Sequence, residues 1–271
     1  YVEHLMFKGT QQFGTSDCAA EKPMLDQIEN LFEVYRKTTD EAERAAIYHR
    51  IDSVSYEASK IAIPNEYDKL MSAIGANGTN AFTSQDMTVY VEDIPSNAID
   101  NWAKIQADRF KNPVHRGFHT ELETIYEEKN MSLTRDSRKV WEAMDAALFP
   151  HHPYSTQTVL GTHEHLKNPS ITNDKNYHKN SSVPNNMAAC LPGDVDPDEM
   201  VATIEKYCGD MQPNPNLPKL HFEPEQPITT PVVKEVYGLE AANVMLGWRL
   251  PGATDPSTDV ANIVGSVLYN G

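Results

Sequence analysis

Two short segments of the chain carry residue types that can bind a metal ion and move a proton. Glu3 and His4 are adjacent near its start, and Glu121 and Glu128 lie seven residues apart in a second, acidic segment. In the H-x-x-E-H arrangement, two histidines four residues apart lie on one helical face and bind Zn²⁺, and the glutamate between them is the general base. Glu3 and His4 fit its last two letters, and the first histidine would fall immediately before Tyr1. We therefore expect a site for one zinc ion with one ligand missing, and weak or no zinc binding.

Metal-assisted amide hydrolysis is the chemistry that such a site performs. Three nitrogen or oxygen ligands leave one tetrahedral position of the ion for a water, whose pKa the ion lowers to about 7. A carboxylate beside that water then accepts its proton. Glu121 and Glu128 are two helical turns apart and so share one helix face. Acidic runs are more often solvated faces, and we expect Glu123 and Glu127 to face solvent, although Glu127 would replace Glu128 if the helical register differed.

Composition excludes several classes of partner. The 23 Lys and Arg residues against 39 Asp and Glu residues give a net charge of −16. This acidity argues against nucleic acid or an anionic membrane surface as a partner. No apolar run approaches the roughly 20 residues that a membrane span needs. Three widely spaced cysteines, without a C-x-x-C pair, favour neither a disulfide framework nor a thiolate zinc site. The compartment is not predicted.

The elements that must position the two segments are predicted to be mainly helical. Residues 22–61 carry two apolar stripes at three- and four-residue steps, which predicts a helical hairpin ending before Pro64. Further helices are expected at residues 94–110, 118–149 with a break near 130–136, 163–166, 197–207 and 259–269. Packing in a hydrophobic core is enough to explain these stripes, so we assign no cofactor site to them.

Strands are predicted in four segments, so the fold class is α+β with helices packed on an antiparallel sheet. The segments are residues 79–93, 185–191, 232–237 and 243–250. A proline-rich stretch at 212–231 predicts an extended linker. We therefore predict a first domain over residues 1–211, the linker, and the start of a second domain over residues 232–271, which is too short for a core of its own.

The residues around the two segments resemble the signature of the pitrilysin/insulinase family of zinc peptidases, which is related to the mitochondrial processing peptidases. The resemblance begins with Glu3 to Thr10 and continues in order and approximate spacing to about residue 210. It is carried by the segments Gly78 to Thr83, Thr88 to Tyr90, Glu121 to Glu128, Phe149 to Tyr154, Leu160 to Thr162, Pro184 to Met187 and Gly193-Asp194. The linker and the segment Gly247 to Gly271 are similar to the start of the family's second domain.

The resemblance implies a role for each candidate residue. Glu3 matches the general base, His4 matches the second histidine ligand, and Glu128 matches the distant third ligand. Glu121 matches the upstream acid that supports the site. An edge strand that binds the peptide substrate through its backbone matches Asn80, Ala81, Phe82 and Thr83. An ordinary strand is the alternative for these four residues.

The family implies an endopeptidase that acts on peptides or unfolded chains and encloses them between two homologous halves or subunits. We interpret the chain as the N-terminal part of such a protein and expect it to be inactive as it stands. The hairpin at about 16–64 is interpreted as an insertion between the zinc helix and the substrate strand. A non-catalytic homologue that keeps the fold without zinc, as a structural or peptide-binding subunit, remains the alternative.

Overall fold

A computed structural model describes residues 1–270 of the chain, and their secondary structure is mainly helical. The first half contains α1 (Val2–Leu5), α2 (Cys18–Tyr35), α3 (Glu41–Ser59), α4 (Glu66–Ala73), β1 (Asn77–Thr83), β2 (Thr88–Asp93), α5 (Ile99–Lys111) and α6 (Phe118–Leu133). The second half contains α7 (Asp136–Leu148), α8 (Pro153–Thr156), α9 (His163–Lys167), α10 (Ile171–Ser181), α11 (Pro197–Cys208) and α12 (Ser257–Asn270). Short 3₁₀ turns occur at Ser96–Ala98 and Pro184–Asn186.

The residues form two compact units. The first unit comprises Tyr1–Asn130 and Val159–His221, and it holds every candidate site residue. The second comprises Met131–Thr158 and the chain from Phe222 onward. The division into domains at 211 and 231 stays a prediction, and its last residue, Gly271, lies outside the described residues. No helix within residues 1–270 is long and apolar enough to cross a membrane.

The predicted helical hairpin is present as α2 and α3, which pack against each other. Asp17 caps α2 by accepting a hydrogen bond from the Ala20 amide, and Asp40 caps α3 in the same way from Glu43. The apolar stripes of the two helices meet α6 in the main core of the first unit. That core contains Leu5, Ile28, Phe32, Ile51, Phe118, Leu122 and Ile125. The hairpin is therefore an integral part of the core, while its status as an insertion remains a prediction.

A single antiparallel hairpin, β1–β2, is the sheet of the described residues. Asn80 pairs with Val91 and Thr83 with Thr88, so the strands run side by side toward the turn between them. A second cluster of buried side chains, Phe13, Tyr67 and Met71, is lined by partly buried residues that include Phe7, Ile94 and Trp102. The helix α4, which carries Tyr67 and Met71, immediately precedes β1 in the chain.

The predicted helices are observed, with bounds that differ by a few residues, but three predicted strands are wrong. Residues 185–191, 232–237 and 243–250 form no strand in the described chain. The apolar side chains of the last two segments are largely exposed, for example Val233 (82%) and Val244 (87%). A β-strand needs a neighbouring strand to bind its backbone groups, and no described segment supplies one. The fold is therefore mixed but mainly helical, with a small two-stranded antiparallel sheet.

The second unit contains α7, α8 and α12. Glu225 joins its chain segments, because its carboxylate accepts hydrogen bonds from the backbone amides of His151 and His152 at 2.6 and 2.9 Å. The side chain of His151 lies 3.0 Å from the other oxygen of Glu225. The backbone of both histidines and the side chain of His151 therefore pair with an acid of the same unit.

Candidate metal centre

Glu3 and His4 lie on α1, a single helical turn at the start of the first unit. The next residue, Leu5, is 1% exposed and belongs to the core shared with α6. Because Leu5 is buried in this core, the adjacent side chains of Glu3 and His4 are held at its surface. The tyrosine that precedes α1 is held too, since the Tyr1 hydroxyl donates to the backbone oxygen of Phe118 at 2.7 Å.

His4 and Glu121 meet in this position. The Nδ1 atom of His4 lies 2.6 Å from Oε1 of Glu121. The hydrogen bond to Glu121 raises the pKa of His4 above its usual value; burial opposes this, and the negative charges of Glu121 and Glu128 add to it. A histidine whose Nδ1 is held by a carboxylate presents Nε2 in a fixed direction, which is the usual arrangement of metal-binding histidines.

Lys8, which is not among the site residues predicted from the sequence, completes the environment of Glu121. Its Nζ atom lies 2.6 Å from Oε2 of Glu121. Burial would raise the pKa of Glu121, but the hydrogen bonds from His4 and Lys8 outweigh it and lower the pKa to about 2. The carboxylate is therefore charged across the neutral range. The sequence contains only a weak indication that Lys8 belongs to the site. Lys8 follows His4 by four residues, a spacing that brings side chains together on a helix.

Glu3 lies between His4 and the end of β1. One of its oxygens is 3.9 Å from Nε2 of His4, and the other accepts a hydrogen bond from the hydroxyl of Thr83. The Glu3 side chain is 14% exposed. Its carboxylate thus stands beside the nitrogen of His4 that Glu121 leaves free, close to the predicted substrate strand.

The acidic face of α6 separates into buried and solvent-facing residues. Glu121 is buried, Glu128 is half-buried, and Glu123 and Glu127 are exposed, as the sequence predicts for the last two. Glu128 is near enough to His4 for its charge to raise the pKa of that histidine. The helix therefore brings Glu121 into contact with His4 and Glu128 within electrostatic reach of it, while Glu127 is exposed.

His4 and Glu128 have side chains of types that bind zinc, but two ligands do not make a complete zinc site. An imidazole nitrogen and a carboxylate are both ordinary zinc ligands, but a catalytic zinc ion takes three protein ligands. Within residues 1–270, no group of three or more His, Cys, Asp or Glu side chains is arranged to hold a metal ion. We use the name candidate metal centre for the four residues predicted from the sequence, His4 and Glu128 with Glu3 and Glu121.

The four predicted substrate-binding residues lie on β1. Asn80, Phe82 and Thr83 are exposed, and Ala81 is half-buried against the unit. One side of β1 pairs with β2, and no third strand among the described residues pairs with the other. An unpaired strand edge can accept an extended peptide, and its end at Thr83 contacts Glu3 of the candidate metal centre.

Comparison with known proteins finds similarity to peptidases. Residues 174–271 match a family described as "Peptidase M16 inactive domain". This matched segment lies C-terminal to all four residues of the candidate metal centre. An uncharacterized zinc protease of Mycobacterium leprae is 25% identical over 167 residues, 61% of this chain and 37% of that protein.

Two further matches agree with this. A probable mitochondrial-processing peptidase subunit beta of Schizosaccharomyces pombe is 23% identical over 61% of this chain and 36% of that protein. A crystal structure of a protease from Helicobacter pylori has a TM-score of 0.52 at 21% identity, over 57% of this chain and 38% of that one. The alignments span little more than a third of the length of these relatives, and the structural likeness shows a shared fold.

Proposed function

Because the chain belongs to the pitrilysin/insulinase family of peptidases, we propose that it is the part of a zinc-dependent endopeptidase that carries the general base and two metal ligands. The observation that carries this proposal is the joint placement of Glu3 and His4. A carboxylate oxygen of Glu3 lies 3.9 Å from Nε2 of His4, whose Nδ1 is already held by Glu121. The name of the Mycobacterium leprae relative supports zinc as the metal.

In this proposal His4 and Glu128 would hold the ion. Bound zinc polarises a water and the scissile carbonyl, which is the chemistry that the residues alone lack. Glu121 keeps the His4 ring oriented by accepting from Nδ1, which leaves Nε2 as the nitrogen that would bind the ion. Glu3 accepts a proton beside the ion and returns it to the leaving amine. Thr83 donates to the other oxygen of Glu3 and so holds the base in place.

The substrate is proposed to be an extended peptide on the free edge of β1. Backbone pairing along Asn80 to Thr83 binds a strand with little demand on its side chains, which suits an enzyme of peptides or unfolded chains. The strand ends at Thr83, whose hydroxyl contacts the proposed base. A homologous second half or partner subunit would cover the peptide, as the name "subunit beta" of two relatives suggests for a family that works in assemblies.

A non-catalytic, peptide-binding homologue is the second candidate. Two observations favour it: the family match over residues 174–271 is to a domain described as inactive, and the described residues offer no complete ligand set. This candidate keeps β1 as a peptide-binding edge and assigns no proton transfer to Glu3.

One experiment separates the two candidates. Peptide cleavage and zinc content are measured in parallel on the full-length protein and on Glu3→Gln, which keeps the shape of the side chain but removes the proton acceptor. If the protein is an endopeptidase, the variant should retain zinc and lose activity by about 10²- to 10⁴-fold. Equal cleavage by both proteins would remove Glu3 from the mechanism. A full-length protein that binds peptide and never cleaves it would establish the second candidate.

A further inference from the structure

Arg116 is a buried arginine between the candidate metal centre and the α2–α3 hairpin. The residue is 4% exposed. Its Nε donates to both carboxylate oxygens of Glu21, at 2.8 and 2.9 Å. Glu21 lies on α2 and is 1% exposed. A buried ion pair of this kind holds together only when both partners are present, because removal of one leaves an uncompensated charge in the core.

The other donors of Arg116 bind the loop that follows α1. Nη1 donates to the backbone oxygens of Lys8 and Phe13 at 3.2 and 3.1 Å, and Nη2 donates to that of Thr10 at 2.6 Å. We call residues 8–14 the clamped loop. Three carbonyls of this loop therefore point at one guanidinium group, so the guanidinium fixes the path of the chain leaving the helix of Glu3 and His4.

Two glycines make this close approach possible. Gly9 and Gly14 have φ angles of +100° and +98°, in the region that side chains other than glycine rarely adopt. A β-carbon at Gly9 would lie 3.0 Å from Nη1 of Arg116, and one at Gly14 would lie 2.7 Å from it. The clamped loop is thus shaped around the guanidinium group by its own sequence.

Lys8 connects the clamped loop to the candidate metal centre. Its backbone oxygen accepts from Arg116, and its side chain lies 2.6 Å from Oε2 of Glu121. The other oxygen of Glu121 lies 2.6 Å from Nδ1 of His4. A continuous series of polar contacts therefore runs from the hairpin, through Arg116 and Lys8, to the ring of His4.

We propose that the α2–α3 hairpin is a positioning element for the metal centre, acting through Glu21, Arg116 and the clamped loop. Glu21 holds the guanidinium group, and the guanidinium group holds the backbone of Lys8. Lys8 then holds the carboxylate that orients His4. The expected effect on metal binding rests on the proposed function. The positioning of His4 is a property of the metal-free chain and does not depend on it. Glu21, Arg116 and Lys8 are positioning residues in this scheme and touch neither metal nor substrate.

The test compares two glutamates of the same helix. Glu21→Gln removes the charge that holds Arg116. Its matched control is Glu29→Gln, because Glu29 also joins α2 to the rest of the unit, through Thr172 (2.8 Å) and Lys175 of α10, without reaching the clamped loop. The readout on the metal-free full chain is the NMR resonance of the His4 Nδ1 proton, which a short bond to a carboxylate shifts downfield. His4→Gln identifies that resonance.

The expected result is that Glu21→Gln loses the downfield resonance and Glu29→Gln keeps it, with thermal unfolding measured for both. Zinc affinity, measured by competition with a chelating dye, should fall about tenfold in Glu21→Gln alone, the lower end of the effect of losing an outer-shell partner. Retention of the resonance in both variants, or an equal loss in both that follows their unfolding temperatures, would overturn the proposal.

A second variant keeps the test decisive if Glu21→Gln fails to fold. Lys8→Met removes the last link, and the Lys8 side chain is 37% exposed, so the unfolding temperature should change little. Loss of the His4 resonance at an unchanged unfolding temperature supports the path, and its persistence refutes it. If the unmodified protein binds no zinc, the proposed function fails, while the proton resonance still decides the positioning role.

Discussion

The Nδ1 atom of His4 and the Oε1 atom of Glu121 lie 2.6 Å apart, although 117 residues separate them in the chain. This contact selects one nitrogen of the imidazole ring for the carboxylate and leaves Nε2 facing Glu3. It also joins the two segments that were singled out from the sequence because of their residue types.

Glu121→Gln should weaken zinc binding by about 10- to 100-fold, since an outer carboxylate that holds a ligating histidine has effects of this size. Glutamine keeps the length of the side chain but loses the charge that binds both His4 and Lys8. Zinc affinity is measured by chelator competition at neutral pH. Glu123→Gln, on the exposed side of α6, is the control, and equal losses in the two variants would contradict the assigned role.

Glu128→Gln should weaken zinc binding, and Glu127→Gln should leave it unchanged. The two residues are adjacent, but Glu128 is half-buried and acts electrostatically on His4, while Glu127 is exposed. The same titration compares the two single variants with the unmodified chain. A stronger effect of Glu127→Gln would show that the helical register of the ligand is shifted by one residue.

A histidine placed directly before Tyr1 should increase the zinc affinity of the 271-residue chain. This position supplies the first letter of H-x-x-E-H and raises the number of protein ligands from two to three. A glutamine at the same position is the control, because it lengthens the chain without a comparable ligand. Tight, stoichiometric zinc in the unextended chain after dialysis against a chelator would show that the missing ligand comes from elsewhere.

Acidification should destabilise the chain through His115. Burial lowers the pKa of His115 to about 4, with the positive charges of Lys175 and His178 adding to this and Glu29 opposing it. Neither ring nitrogen has a hydrogen-bond partner among the described residues. Because the folded pKa lies below the unfolded value of about 6.5, the unfolded state binds more protons, and stability is lost as the pH falls from about 6.5 to 4.

The corresponding variant is His115→Leu, which cannot take up a proton. At pH 5 the unmodified chain should have lost on the order of 2 kcal/mol of its unfolding free energy through this group, and the variant should lose none of that part. Urea unfolding at pH 7 and pH 5 measures the difference. His49→Leu, at an exposed position of α3, serves as the control; an identical pH response of the chain with and without His115 would refute the prediction.

Local patterns were sufficient to predict much of the helical structure. The stripes of α2 and α3 repeat at helical spacing because their apolar residues must meet one core, and Asp17 and Asp40 mark where each helix begins. In contrast, α10 was not predicted. Its sequence is polar, with few apolar residues to mark a face, and only tertiary contacts such as that of Lys175 with Glu29 hold it against the hairpin.

The incorrect strands have a related explanation. Residues 232–237 and 243–250 have the composition of strands, but strand formation depends on a neighbour that supplies hydrogen bonds. No described segment lies beside them in that role. Residues 79–93 were predicted as one strand segment, and the structure divides it into β1 and β2, which supply hydrogen bonds to each other.

By itself, the sequence determined which residue types are available and which of them share a helix face: Glu3 beside His4, and Glu121 two turns from Glu128. These relations follow from the helical repeat, which is a local property of the backbone. Only the tertiary structure decided that His4 meets Glu121, that Lys8 balances its charge, and that Arg116 ties the clamped loop to Glu21. Those contacts depend on the packing of Leu5, Phe32 and Phe118 in one core, and packing between segments distant in the chain leaves no periodic signal in the sequence.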